Sequence, residues 1–332
     1  MNDQTAAAPP ALPPTPGTAL SARVDAVREE VSKAFIGQPD VLDQILIALL
    51  AGGHVLIEGV PGLGKTLLVR ALAQALELTY ARVQFTPDLM PGDVSGHAVY
   101  DPKTESFKIR RGPVFTHILL ADEINRAPAK TQSALLEVMQ EGQVTIEGKS
   151  FELAPPFITL ATQNPVEQEG TYPLPEAQLD RFLFKHVLDY PERADELAIV
   201  TGHGSRAGLP SPAELGVRTV LDRAAVEAAV AAVAQVRLTD EVAAYVVDLI
   251  RATRESADIE TGASPRAGAM LALAARAHAA LDGRDYVIPD DVKTLAPPAL
   301  RHRVILSPAA EIEGRRVDQA LAALVDQVAA PR

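Results

Sequence analysis

Residues 59–66 read GVPGLGKT and satisfy the pattern G-x-x-x-x-G-K-[ST]. Residues of these types at this spacing suit the wrapping of a polyphosphate. Gly59, Gly62 and Gly64 let the backbone close around phosphate oxygens with its N–H groups turned inward. Lys65 can reach the β and γ phosphates, and Thr66 offers a hydroxyl to Mg²⁺. Val60, Pro61, Leu63 and Leu67 fill out the loop and the turn after it. A second candidate pair, Asp122 and Glu123, directly follows the apolar run HILLA at 117–121. Two acids after a strand often mark only a solvated turn. Following a phosphate loop at this distance, they read as the second half of its site. Asp122 then holds the Mg²⁺ shell, and Glu123 orients and deprotonates an attacking water. The presence of both acids points to hydrolysis rather than binding alone.

These residues need strands that end at one edge and helices that start there. Five short apolar runs read as strands, at 54–58, 80–84, 116–121, 157–162 and 184–189. Helical patterns lie between them, notably 66–78 and 128–141, the latter with Pro128 at its first turn and Gly142 just past its end. Alternating strands and helices predict an α/β domain with a parallel sheet and helices on both faces. Beyond about residue 191 strand-like runs become rare. Ala-rich helices are expected at 225–236, 240–256, 265–281 and 317–328. The expected organisation is a disordered Ala/Pro-rich tail over 1–20, an α/β core over 21–190 and a smaller all-α lid over 191–332, with a loop at 202–216.

Composition narrows the function. Hydrophobic residues make up 47% of the 332, but aromatics only 4% with no Trp, so the core must be aliphatic. The net charge of −12 disfavours a phosphate backbone as partner, and no long Lys/Arg block offsets it. The absence of cysteine removes disulfides and thiolate metal sites, and is compatible with the cytoplasm. The seven histidines show no metal-ligand spacing. No apolar run reaches the ~18 residues of a membrane span, and residues at the start lack a signal-peptide pattern. The expectation is a soluble, cytoplasmic chain.

The run ADEINRAPAKTQSALLEVMQEGQVTI (121–146) closely resembles the signature region of MoxR ATPases, a helix-2-insert branch of AAA+ proteins. The likeness extends through FIGQP (35–39), FTPDLMPGDVSG (85–96), GPVF (112–115), LATQNPVEQEGTYPLPEAQLDRF (160–182) and RHRVILSP (301–308). The resemblance implies a P-loop AAA+ core with a lid, and ATP with Mg²⁺ as ligands. It implies that Asn164 is the sensor-1 residue near the γ-phosphate, the alternative being a strand-end turn. Arg181 resembles the arginine finger, which acts on ATP bound to the neighbouring subunit; the alternative is an ordinary surface ion pair. Arg266 lies two residues after Ser264 and one after Pro265, an N-cap and first-turn proline. The resemblance implies that a sensor-2 arginine in this first turn meets the γ-phosphate; the alternative is an exposed helix arginine. By the same resemblance Ile36, Gly37 and Gln38 pack near the adenine, and Arg126 faces a subunit interface or solvent.

Two segments read as inserted hairpins, 95–112 with a turn at Asp101-Pro102 and 143–153 with a turn at Glu147-Gly148. In this branch such elements project from the ring. The function implied is an ATPase in a homo-oligomeric, hexameric ring that remodels or activates client proteins, including insertion of a metal or cofactor. Relatives work with von Willebrand factor A domain proteins. The D-x-S-x-S metal motif of that domain does not occur here, so such a domain would come from a separate chain. Alternatives are a DNA-dependent motor, the ATPase subunit of a metal chelatase, and a non-hydrolysing ATP-dependent scaffold.

Overall fold

The structure, a computed structural model, describes residues 16–165, 170–203 and 210–331. Most of the expected tail lies outside the described residues. Its last five residues do not behave as a tail. They open helix α1 (Pro16–Ser32), and Leu20, Val24, Val27 and Val31 form its buried stripe. That stripe has helical spacing and outweighs the Ala/Pro composition just before it.

The core continues with α2 (Pro39–Leu50), β1 (Val55–Glu58), α3 (Lys65–Ala75) and β2 (Tyr80–Gln84). An insertion follows: α4 (Pro91–Ser95) and the hairpin of β3 (Gly96–Asp101) and β4 (Ser106–Arg111). Next come β5 (Ile118–Asp122), a 3-10 turn (Ile124–Arg126), α5 (Ala129–Glu141) and a second hairpin of β6 (Gln143–Ile146) and β7 (Lys149–Glu152). β8 (Ile158–Gln163), α6 (Glu176–Leu179) and β9 (Phe184–Val187) complete it. Helix α5 stops where expected because Gly142 takes a left-handed conformation with φ 62°. Both hairpins form where the turn residues predict them, the second with Glu147 and Gly148 at φ 49° and 74°.

Five parallel strands run in the order β2-β5-β8-β1-β9. Their side chains alternate between two apolar clusters. Val55, Ile57, Ile118, Leu120, Ile158 and Leu160 face one, while Leu56, Leu119, Ala121 and Ala161 face the other. Both faces are therefore covered, as continuous apolar strands require.

The C-terminal part holds α7 (Arg193–His203), α8 (Arg223–Val233), α9 (Asp240–Glu255), β10 (Ile259–Thr261), α10 (Pro265–Leu281), α11 (Pro289–Leu300), β11 (Ile305–Leu306), α12 (Pro308–Ile312) and α13 (Val317–Gln327). It is helical apart from the small antiparallel β10–β11 ribbon. Part of the expected loop at 202–216 belongs to α7, and 204–209 lie outside the described residues. Val246, Leu271 and Leu295 of the lid share one buried cluster with Val55 and Ile57 of the sheet. The lid is thus packed onto the first face of the core. No described helix is long and apolar enough to cross a membrane.

Candidate functional site

The phosphate-type loop joins the carboxyl end of β1 to the N-terminus of α3, the edge at which open parallel sheets take ligands. Gly59 is fixed by a bond from its N–H to the Gln163 carbonyl at 3.2 Å. A Cβ there would lie 2.9 Å from the Leu188 carbonyl oxygen, so only glycine fits. Gly62 and Gly64 hold φ of 89° and 76°, a region costly for other residues. Val60 is half-buried and Pro61 exposed, while Leu63 and Leu67 pack partly into the core beneath. Lys65 opens α3, and its ammonium donates to the Gly59 carbonyl at 2.6 Å. Burial pulls Lys65 below its ordinary pKa; Asp122, Glu123 and Glu58 pull it back up. Those carboxylates therefore share one electrostatic neighbourhood with the ammonium. Thr66 follows in the first turn, half-buried.

Asp122 ends β5 and lies level with Thr162 of β8, since Ala121 pairs with Ala161 in the parallel register. The Thr162 hydroxyl donates to Asp122 Oδ1 at 2.5 Å and accepts from the Glu123 N–H at 2.9 Å. One buried side chain thus holds both acids. Glu123 sits at φ 55°, a left-handed conformation that a non-glycine residue keeps only when its surroundings impose it. Its carboxylate accepts from Gln84 Nε2 at 2.7 Å and Arg126 Nη1 at 3.1 Å. Arg126 is therefore turned toward Glu123 of its own chain. Arg82 closes on Asp122 Oδ2, with Nη2 at 2.6 Å and Nε at 3.2 Å.

Arg82, Gln84 and Thr162 were not among the residues expected from the sequence. Arg82 and Gln84 alternate along β2 and so share a face. That face meets the acids only because β2 pairs with β5, an adjacency the linear pattern does not state.

Asn164 is buried one residue past β8, beside the Gln163 carbonyl that anchors Gly59. Arg181 occupies the turn after α6, and Arg266 the exposed first turn of α10, capped by Ser264. Among the described residues neither arginine makes a hydrogen bond or ion pair with the loop, Asp122 or Glu123. The structure brings Lys65, Asp122, Glu123 and Asn164 to one edge and leaves these two arginines on elements outside the sheet. Phe35 lies 3.5 Å from the position of a Cβ on Gly64, which puts Ile36, Gly37 and Gln38 beside the loop. These residues line a cavity of about 350 Å³, and Gln38 donates to the Asp189 carbonyl at 2.7 Å.

The donor set suits a metal-bound triphosphate. Loop N–H groups, the α3 N-terminus and Lys65 are anion donors. The Thr66 hydroxyl and Asp122 carboxylate are the hard oxygen ligands that Mg²⁺ takes. Asp122 already holds a cationic group in Arg82.

Comparison with known proteins gives the same reading. The family described as "ATPase family associated with various cellular activities (AAA)" matches residues 54–184, and the AAA lid domain matches 251–324. The Bacillus subtilis protein YeaC is 46% identical over 91% of this chain and 93% of its own length. Chaperone MoxR1 of Mycobacterium tuberculosis is 44% identical over 89% of this chain and 80% of its own. A solved candidate ATPase from Cytophaga hutchinsonii superposes with a TM-score of 0.87 at 40% identity, over 96% of this chain and 97% of that one. A phosphate loop, paired acids and lid in this order, with relatives of that closeness along nearly the whole chain, make this protein a member of the MoxR-type AAA+ ATPases.

Proposed function

We propose that the chain hydrolyses ATP in an oligomeric ring and uses the turnover for chaperone-like remodelling or activation of partner proteins. The observation that supports hydrolysis best is the shared neighbourhood of Lys65, Asp122 and Glu123, with Thr162 fixing both acids. In this reading the loop and Lys65 bind the phosphates, and Thr66 and Asp122 hold Mg²⁺. When bound, that ion neutralises charge on the β and γ oxygens. Glu123 takes the proton of the attacking water, which Asn164 helps to orient. Arg266 reaches the γ-phosphate from the lid. Ile36 and Gly37 flank the base.

Arg181 makes no side-chain hydrogen bond or ion pair among the described residues, which leaves its guanidinium available to a neighbour's site. A ring, in our reading a hexamer, follows from that role. Clients would include cytoplasmic proteins that receive a metal or cofactor, and proteins with a separate von Willebrand factor A domain. The relative named a chaperone supports this client class.

The test uses Glu123→Gln and Lys65→Ala. Loss of the base should slow turnover about 10²–10⁴-fold with ATP affinity retained, whereas Lys65→Ala should lose binding as well. The ATP-trapped Glu123→Gln protein should retain clients in a pull-down and release them with the wild-type residue. Wild-type hydrolysis by Glu123→Gln would sink the assignment of the base. Full cellular function of a Glu123→Gln variant that does not hydrolyse would favour a scaffold.

A further inference from the structure

We infer that Arg303 of the lid is a positioning residue for Arg181, so that the lid of one subunit sets the guanidinium offered to the next. This rests on the reading of Arg181 as acting in trans. Arg181 has no side-chain partner of its own among the described residues, so its direction depends on its backbone and close neighbours. Two lid side chains hold that backbone, and Arg303 makes most of the contacts. Arg303 has 2% side-chain exposure and directs most of its donors to this turn, the others going to the Ala299 carbonyl and to Met270 Sδ. Nε donates to Asp180 Oδ1 at 2.7 Å, and Nη2 to the carbonyls of Asp180 at 3.0 Å and Phe182 at 2.6 Å. Nη1 donates to the Leu183 carbonyl at 3.1 Å and to that of Ala299 in α11. The carbonyls on both sides of Arg181 are thus gripped, together with the carboxylate just before it.

A planar fork of five N–H donors can do this; an ammonium with three cannot reach the same set. Burying a guanidinium against one carboxylate is also a costly way to fasten a lid, where apolar packing would serve. The cost is placed at the turn that carries Arg181. His302 adds a second lid donor, its Nε2 lying 2.9 Å from the Phe182 carbonyl.

Asp180 has a second tie. Its Oδ2 accepts from the Ser264 hydroxyl at 3.4 Å, and that same hydroxyl caps α10 by accepting from the Ala267 N–H at 3.3 Å. Arg266 lies two residues after Ser264, and its charge acts on Arg303. One carboxylate therefore joins the lid arginine, the first turn of α10 and the residue before Arg181. A shift of that first turn when Arg266 meets a phosphate would be passed through Asp180 to Arg181. The site of one subunit would then report on its own lid to the neighbouring site.

The experiment mixes full-length subunits. Arg303→Lys alone should lower kcat at least about tenfold, the scale of a small misplacement of a reacting group, with KM for ATP changed less than twofold. Mixing it with Glu123→Gln subunits, which cannot turn over but carry an intact Arg181, should restore turnover per Arg303→Lys subunit. Wild-type subunits mixed with Glu123→Gln set the baseline, and Arg181→Ala mixed with Glu123→Gln tests the trans role itself. Rescue of both variants supports the inference. Rescue of Arg181→Ala without Arg303→Lys overturns it and leaves the trans role standing. No rescue of Arg181→Ala overturns the trans role and the inference with it. Should Arg303→Lys not fold, Asp180→Asn takes its place under the same mixing, and wild-type kcat in that variant also overturns the inference.

Discussion

Arg82 and Asp122 form an ion pair across adjacent parallel strands, with Arg82 Nη2 2.6 Å from Asp122 Oδ2. The arginine thereby competes for the carboxylate assigned to the Mg²⁺ shell. Arg82 is close to half exposed, so the pair is worth at most about 1 kcal/mol. Removing it should therefore lower the free Mg²⁺ needed for half-maximal ATPase activity, by up to about fivefold. The measurement is turnover of Arg82→Ala against free Mg²⁺ at saturating ATP. A raised Mg²⁺ requirement would mean that Arg82 aims Asp122 rather than competes for it.

Thr162 serves both acids from one buried hydroxyl, giving to Asp122 and taking from the Glu123 amide. Valine has nearly the same shape and neither function. Thr162→Val should destabilise the fold by about 1–3 kcal/mol, because it leaves polar groups without their partner. It should also lower kcat at least about tenfold by loosening Glu123. Thr162→Ser should recover most of both. Denaturant titration and steady-state kinetics separate the two effects, and an unchanged kcat in Thr162→Val would remove Thr162 from the positioning of Glu123.

The sheet was legible because its strands are short, largely apolar runs with helical patterns between several of them, and all five form close to where the pattern places them. The loop was legible because GVPGLGKT is a local motif whose glycines answer local backbone needs. Helix α1 was obscured by the Ala/Pro segment leading into it. The β10–β11 ribbon pairs residues 259–261 with 305–306, a long-range contact that strands of three and two residues cannot announce. Arg82 and Thr162 were missed for a similar reason. Each is an ordinary strand residue until the order β2-β5-β8 brings it beside Asp122. Arg303 has no local motif to mark it, and its part depends on the lid folding back onto the turn after α6.

The loop glycines allow strain to be told apart from site chemistry. Gly64 holds φ 76° with Phe35 at 3.5 Å from a built Cβ, while Gly216 holds φ 84° in open space far along the chain. An alanine at either position should cost about 1–2 kcal/mol of stability through the left-handed backbone. Only Gly64→Ala should weaken nucleotide binding, by at least about tenfold, since only there does the backbone have to approach phosphate. Thermal denaturation and fluorescent-nucleotide titration of the two variants make the comparison. Equal nucleotide affinity in both would argue that Gly64 serves the fold alone.

His54 is buried just before β1, where the Thr159 N–H donates to its Nδ1 at 3.0 Å and its Nε2 meets the Met139 carbonyl at 3.0 Å. The amide donor requires an unprotonated Nδ1, so the fold selects the neutral ring. Burial pushes the pKa down from 6.5 to about 4, against a smaller upward pull from the Met139 carbonyl. A group depressed in the folded state contributes its stability in full above the unfolded value. That contribution is lost as pH falls from 6.5 through 4. The shift corresponds to about 3 kcal/mol by linkage. His186 is also lowered to about 4, chiefly by burial, and adds to the same window. The urea midpoint should therefore drop between pH 6.5 and pH 4. Glutamine can accept from Thr159 and donate to Met139 without titrating, so His54→Gln should flatten part of that slope. A slope identical to wild type in His54→Gln would move the acid sensitivity to other groups.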